Sequence, residues 1–156
     1  MFDAIKTFIA DLAGGDRHGE TFDDNDYRLA AAALLVHAAT IDGSLGGVER
    51  DTLRLLLRGR FALDESGTDR LIAKATAAER DAVDLYHFTR LLNRSLDDAG
   101  RARVVEMMWQ VAYADGHVSD SQANLIWRAA DLLSVPSRER VALRQRVAAA
   151  HEDGAQ

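Results

Sequence analysis

The chain has 156 residues, 47% of them apolar, which suits one ordinary domain with a real core and is short for two. Twenty-five acidic residues against 19 basic ones leave a net charge of −6, which argues against a nucleic-acid binder that works by displacing counterions. The absence of cysteine excludes disulfides, thiolate zinc sites, iron–sulfur clusters and cysteine nucleophiles, so any metal must be held by oxygen or imidazole.

The single proline, the abundance of Ala, Leu and Arg, and the lack of sustained strand alternation predict an all-α chain. A first amphipathic helix is expected over 2–13, with Phe2, Ile5, Phe8, Ile9 and Leu12 on one face, followed by a glycine-rich flexible link from Gly14 to Glu20. Further helices are expected at 24–42, 47–61, 65–78, 82–94, 98–114, 120–133 and 137–150. The expected architecture is a single-domain bundle of about eight helices. Its parts are residues 1–22 (helix and link), 23–151 (the helical domain) and 152–156 (a tail). Gly43, Gly46 and Gly47 break the pattern because they permit backbone conformations that a helix interior refuses, and Pro136 suits a first helical turn.

The longest nearly apolar stretch, Leu29 to Ile41, is interrupted by His37 and Thr40 and falls short of the roughly 20 residues of a membrane span. It reads as a buried helix and the chain as having no transmembrane segment. Met1 to Leu12 lacks the basic start and small-residue cleavage site of a signal peptide, so a cytoplasmic setting is expected.

Displacing the sequence by 73 residues places Ala39-Thr40-Ile41-Asp42-Gly43-Ser44-Leu45 on Ala112-Tyr113-Ala114-Asp115-Gly116-His117-Val118, and Glu49 on Gln122. The shared pattern is a long apolar helix, an Asp-Gly end, a short loop with one aliphatic residue and another helix, which indicates an internally duplicated helix–loop–helix. Extending each apolar helix at 100° per residue puts Asp42 on the side of Leu35 and Ala38, and Asp115 on that of Met108 and Val111. Both carboxylates are therefore expected to leave buried helices on their inward sides, where a pseudo-twofold axis would bring them toward one another.

Two roles fit this pattern. In the first the Asp-Gly ends only terminate and cap helices: glycine takes the left-handed position, and Ser119-Asp120-Ser121-Gln122 forms a capping box with Gly46-Gly47-Val48-Glu49 as a weaker counterpart. In the second Asp42, Glu49 and Asp115, with carbonyls or waters, bind a hard divalent cation such as calcium or magnesium, with zinc or manganese as variants. Neither loop is an EF-hand, because the twelfth positions are Leu53 and Ile126 in place of a bidentate Glu. His37 projects away from Asp42, His117 is a loop neighbour of Asp115, and Asp84-Leu85-Tyr86-His87 lacks the paired Glu-x-x-His of a di-iron bundle. Glu106 is expected in a buried ion pair, and Trp109 and Trp127 in the core.

No nucleophile elbow, phosphate loop or oriented catalytic histidine is present, so the chain reads as a non-enzyme. Arg138, Arg140, Arg144 and Arg146 concentrate charge on the last helix, by default a solvated face and alternatively a docking surface for an acidic partner or lipid headgroup.

The runs Ala31-Ala32-Ala33-Leu34-Leu35, Ile41-Asp42-Gly43 with Glu49, Val111-Ala112-Tyr113-Ala114-Asp115-Gly116, and Trp127-Arg128-Ala129-Ala130-Asp131-Leu132-Leu133 resemble the TerB-like family, named for bacterial tellurite resistance. The resemblance spans residues 25–150 and implies a duplicated helical bundle, a bacterial cytoplasmic setting and acids in both Asp-Gly loops that bind a divalent metal. It further implies a part in chemical-stress or tellurite resistance, with stress-response partners that include membrane-associated ones. The same fold occurs in the N-terminal domain of a membrane-anchored DnaJ-type co-chaperone, so a metal-free interaction module is the other reading. Gln122 stands where the family commonly has Glu, which gives any metal site a neutral oxygen on that side.

Overall fold

A computed structural model describes residues 21–81 and 84–155, which form seven helices with no strand among them. They are α1 (Tyr27–Thr40), α2 (Gly47–Phe61), α3 (Glu65–Asp81), α4 (Tyr86–Ser95), α5 (Asp98–Ala112), α6 (Asp120–Leu132) and α7 (Ser137–Ala155). Each corresponds to an expected helix, and the remaining expected one, at 2–13, lies outside the described residues.

The boundaries move for identifiable reasons. α1 begins after Asp26, not Asp24, because the Asp26 carboxylate accepts the Arg28 N–H at 2.9 Å and so caps the helix. α5 starts behind an equivalent cap, Asp97 accepting from Gly100 N–H at 2.8 Å. α3 begins where Asp64 accepts from Gly67 N–H at 2.7 Å. The two apolar helices end earlier than expected, at Thr40 and Ala112, and α7 continues past residue 150 to Ala155.

α1 sits at the centre. All its residues from Leu29 to Val36, with Ala38 and Ala39, are buried, and it packs against α2, α3, α4, α5 and α6. A helix apolar all round must be enclosed, and its alanines let neighbouring backbones approach. α5 is the second central helix, with Val104 to Trp109, Val111 and Ala112 buried. The outer helices bury single stripes at helical spacing, such as Leu53 and Leu57 on α2, Thr68, Leu71, Ile72 and Ala75 on α3, and Leu143 and Val147 on α7.

Adding 73 to the limits of α1, α2 and α3 reproduces those of α5, α6 and α7 within a few residues. The duplicated unit is therefore three helices long, and α4 is the inserted element. The two units also meet reciprocally: α1 packs on α5 and α6, and α5 on α1 and α2. No described helix is long and apolar enough to cross a membrane.

Candidate functional site

The two Asp-Gly loops lie where the units meet. Both glycines have positive φ, +152° at Gly43 and +86° at Gly116, conformations that side chains resist. They turn the chain sharply out of the central helices. Because α1 and α5 have already ended, the 100° extrapolation does not apply to the acids that follow. Asp42 and Asp115 are exposed, not inward-facing.

One side of the junction is closed by hydrogen bonds between the units. The Asp42 carboxylate accepts from the Ser119 hydroxyl at 2.5 Å. Ser119 is the N-cap of α6 and Gln122 its N3 residue, and the capping box is complete: Ser119 Oγ accepts from Gln122 N–H at 3.0 Å, and Gln122 Oε1 accepts from Ser119 N–H at 3.0 Å. Gln122 then does something a capping residue need not do. Its buried side-chain amide donates to the Ala38 carbonyl of α1 at 3.0 Å. Both polar atoms of Gln122 are thus committed to protein partners.

The symmetry-related side differs in chemistry. Under the 73-residue displacement Gly46 stands in place of Ser119, Glu49 in place of Gln122, and Val111 in place of Ala38. Glycine has no hydroxyl to offer Asp115, and a carboxylate cannot donate to a carbonyl. Asp115 instead accepts from the His117 N–H of its own loop at 2.9 Å. Glu49 folds back over its N-cap: a Cβ on Gly46 would lie 2.3 Å from Glu49 Oε2. Glu49 is half-buried and makes no hydrogen bond among the described residues.

The donor set as it stands is not a ready cation cage. Among the described residues no three His, Asp or Glu side chains gather closely enough to hold a metal ion. One Asp42 oxygen takes the Ser119 hydroxyl, one Asp115 oxygen takes a backbone N–H, and Gln122 Oε1 is already an acceptor.

The remaining candidates are placed as follows. His37 Nδ1 pairs with Glu79 on α3 at 2.6 Å, a partner that spacing along the chain did not suggest. His117 is exposed in its loop. Glu106 is buried and paired on both sides, by Arg103 of its own helix and by Arg146 of α7. Three of the four arginines of the last helix hold α7 to the body. Arg140 reaches the Val135 carbonyl at 2.6 Å and lies over the Trp127 ring, Arg144 lies over Trp109 and donates to the Tyr113 hydroxyl at 3.1 Å, and Arg146 pairs with Glu106. Arg138 is exposed. Trp109 is fully buried and Trp127 half-buried.

Two grooves of about 480 Å³ each are lined by residues outside the Asp-Gly loops. One has a floor of Leu29, Ala30, Ala78, Phe88 and Leu91 and a rim carrying Asp24, Asp81, Asp84 and His87. The other lies along α3 beside Thr21 and Phe22 and is lined by Arg70, Ala73 and Lys74.

A duplicated three-helix unit joined through two Asp-Gly loops defines the class: a pseudo-symmetric helical module with its loops clustered at one junction. The chain matches the family described as Tellurite resistance protein TerB over residues 28–145, most of its length, and belongs to that family. No curated protein and no solved structure matches it.

Proposed function

We propose that this TerB-family chain is a non-catalytic interaction module of a tellurite-resistance or chemical-stress system, whose Asp-Gly loops serve first as a clasp between its two units. The observation that carries this reading is Gln122, which uses one end of its amide to cap α6 and the other to hold α1. A side chain so placed transmits the position of one unit to the other, which suits a rigid platform for a partner. The ionisable side chains follow the same logic: His37 with Glu79, and Glu106 with Arg146, link helices to one another.

A second reading, binding of calcium or magnesium, is favoured by the unclasped side, where Asp115 and Glu49 lack the inter-unit partners that Asp42 and Gln122 have. Carboxylates are the ligands these cations take. Thermal unfolding of the chelated protein with and without each of calcium, magnesium, manganese and zinc separates the two, since a ligand of the folded state alone raises its stability. The clasp reading expects no shift at millimolar cation and a lower melting temperature in Asp42→Ala whether or not cation is present. A rise with one cation that disappears in Asp115→Asn and Glu49→Gln would replace it with the cation reading. The stress assignment is tested by deleting the gene in its host and plating on tellurite; unchanged tolerance to tellurite and to oxidants would remove it.

A further inference from the structure

We propose that the groove between α1, α3 and α4 receives the apolar face of a basic amphipathic helix from a partner protein, with the partner's Lys or Arg side chains at the end marked by Asp81 and Asp84. The proposal rests on reading the chain as an interaction module, though not on the clasp, and gives that module a partner class. α3 and α4 both pack on α1 but scarcely on each other. They leave a trough over α1 whose floor is Leu29 and Ala30 of α1, Ala78 of α3, and Phe88 and Leu91 of α4. Its volume of about 480 Å³ is that of clefts which hold ligands, and a trough between two helices suits the i, i+3 and i+4 anchors of a third.

The rim selects for positive charge. It carries Asp24, Asp81 and Asp84 with His87, and no lysine or arginine lines the groove. The three carboxylates are not equivalent. Lys74 lies 3.8 Å from Asp24, so the charge there is partly balanced. Asp84 gives one oxygen to the Tyr86 N–H at 2.9 Å, which leaves its charge without a cation, and Asp81 has no partner among the described residues. Asp81 is also the last residue of α3, whose final carbonyls add partial negative charge at the same place. Two unbalanced carboxylates and a helix C-terminus thus stand at one end of an apolar trough.

The same features argue against other occupants. Nucleic acid or an anionic lipid headgroup would bring phosphate against Asp81 and Asp84. A neutral apolar helix would cover those carboxylates and offer nothing in place of the water they lose. A second copy of this chain would arrive with the same net charge of −6 and meet repulsion.

The test is a nuclear magnetic resonance titration of the isotope-labelled full chain with a synthetic amphipathic helix of Leu and Lys, about four turns long. It is run at physiological salt to screen unspecific charge pairing. Saturable amide shifts should centre on Leu29, Ala30, Ala78, Phe88 and Leu91. A helix with the same leucines but Glu for Lys should bind about tenfold or more weakly. Asp81→Asn with Asp84→Asn, which keeps the acceptor for the Tyr86 N–H, should weaken the Lys helix by about three- to tenfold. Asp51→Asn with Glu152→Gln, at exposed acids outside the groove, should leave its affinity unchanged. Ala78→Trp fills the trough and should remove binding, its circular dichroism and melting temperature showing that the chain still folds. No shift at the five groove amides, equal affinity for the two synthetic helices, or unchanged affinity in the paired Asp81 and Asp84 variant overturns the proposal. Shifts confined to another surface also overturn it but leave the module reading standing. Unchanged tellurite and oxidant tolerance in the gene deletion removes that reading whatever the groove binds.

Discussion

The carboxylate of Asp42, which ends the first Asp-Gly turn, accepts the hydroxyl hydrogen of Ser119, the residue that caps α6 some 77 positions later. One serine therefore finishes a helix with its oxygen and ties the two repeated units with its hydrogen. The equivalent bond cannot form in the other direction, since Gly46 occupies the matching position, and the asymmetry of the junction follows from that difference.

Replacing Ser119 by Ala removes both functions. The lost cap alone should cost about 1 kcal/mol. The bond to exposed Asp42 adds between a few tenths and about 1 kcal/mol after allowance for solvent screening. A double-mutant cycle with Asp42→Ala, read by urea unfolding, isolates that second part. Zero coupling would show that the inter-unit bond does not contribute.

Gln122→Glu should destabilise the protein by about 1–3 kcal/mol, because a buried donor to the Ala38 carbonyl is exchanged for a carboxylate that faces it. Protonating the new carboxyl restores a donor, so the deficit should narrow as the solution is acidified. Unfolding curves at neutral and acidic pH check this. Equal stability of the two proteins at neutral pH would contradict the bridging role of Gln122.

Gly116→Ala should lose about 1–2 kcal/mol from its positive φ alone, a fall in melting temperature of about 2–8 °C for a chain of this size. The added methyl itself has space, its nearest neighbour being His151 Nε2 at 3.6 Å. Gly47→Ala is the control: it lies in the first turn of α2 with open space around its Cβ and should be neutral or slightly stabilising. Calorimetry of the two variants tests the contrast.

Asp26 gives the protein an acid-sensitive contact. Burial pushes its carboxyl pKa up, but the Arg28 side chain and N–H, with Lys74, outweigh burial and hold it below the ordinary value of 3.8. A depressed folded-state pKa stabilises above the unfolded value, and that stabilisation is lost as pH falls through the folded value. Asp26→Asn keeps a good cap and removes the charge. Its stability deficit should be full at neutral pH and shrink as the pH drops below about 4, measured by urea unfolding across that range.

Much of the fold was legible because it rests on local chemistry. The unbroken apolar run Leu29–Val36 and the stretch Val104–Trp109, interrupted only by Glu106, called for two enclosed helices, and Ser119 with Gln122 had the spacing of a capping box. The 73-residue repeat by itself locates both loops. The orientation of Asp42 and Asp115 was misread for an equally local reason: helical phase was carried two or three residues past the ends of α1 and α5, into glycine turns where it no longer holds.

The arginines of α7 divide in a way that their spacing does not reveal: Arg138 and Arg146 are exposed, while Arg140 and Arg144 lie against aromatic rings. A guanidinium on a long stem lies over an aromatic ring only if another helix supplies it, as α5 and α6 supply Trp109 and Trp127 to Arg144 and Arg140. The pairing of His37 with Glu79 likewise depends on α1 crossing α3 at that height.

By itself, then, the sequence determined the helical class, the repeat, the turns and the caps, because propensity, periodicity and glycine conformation act over a few neighbouring residues. Tertiary packing alone decided that Ser119 would meet Asp42, that Gln122 would reach Ala38, and that Asp115 and Glu49 would be left without the matching bonds. Those outcomes depend on which side chains the two units present at their junction, and hydrogen bonding acts only over the last few ångströms of that approach.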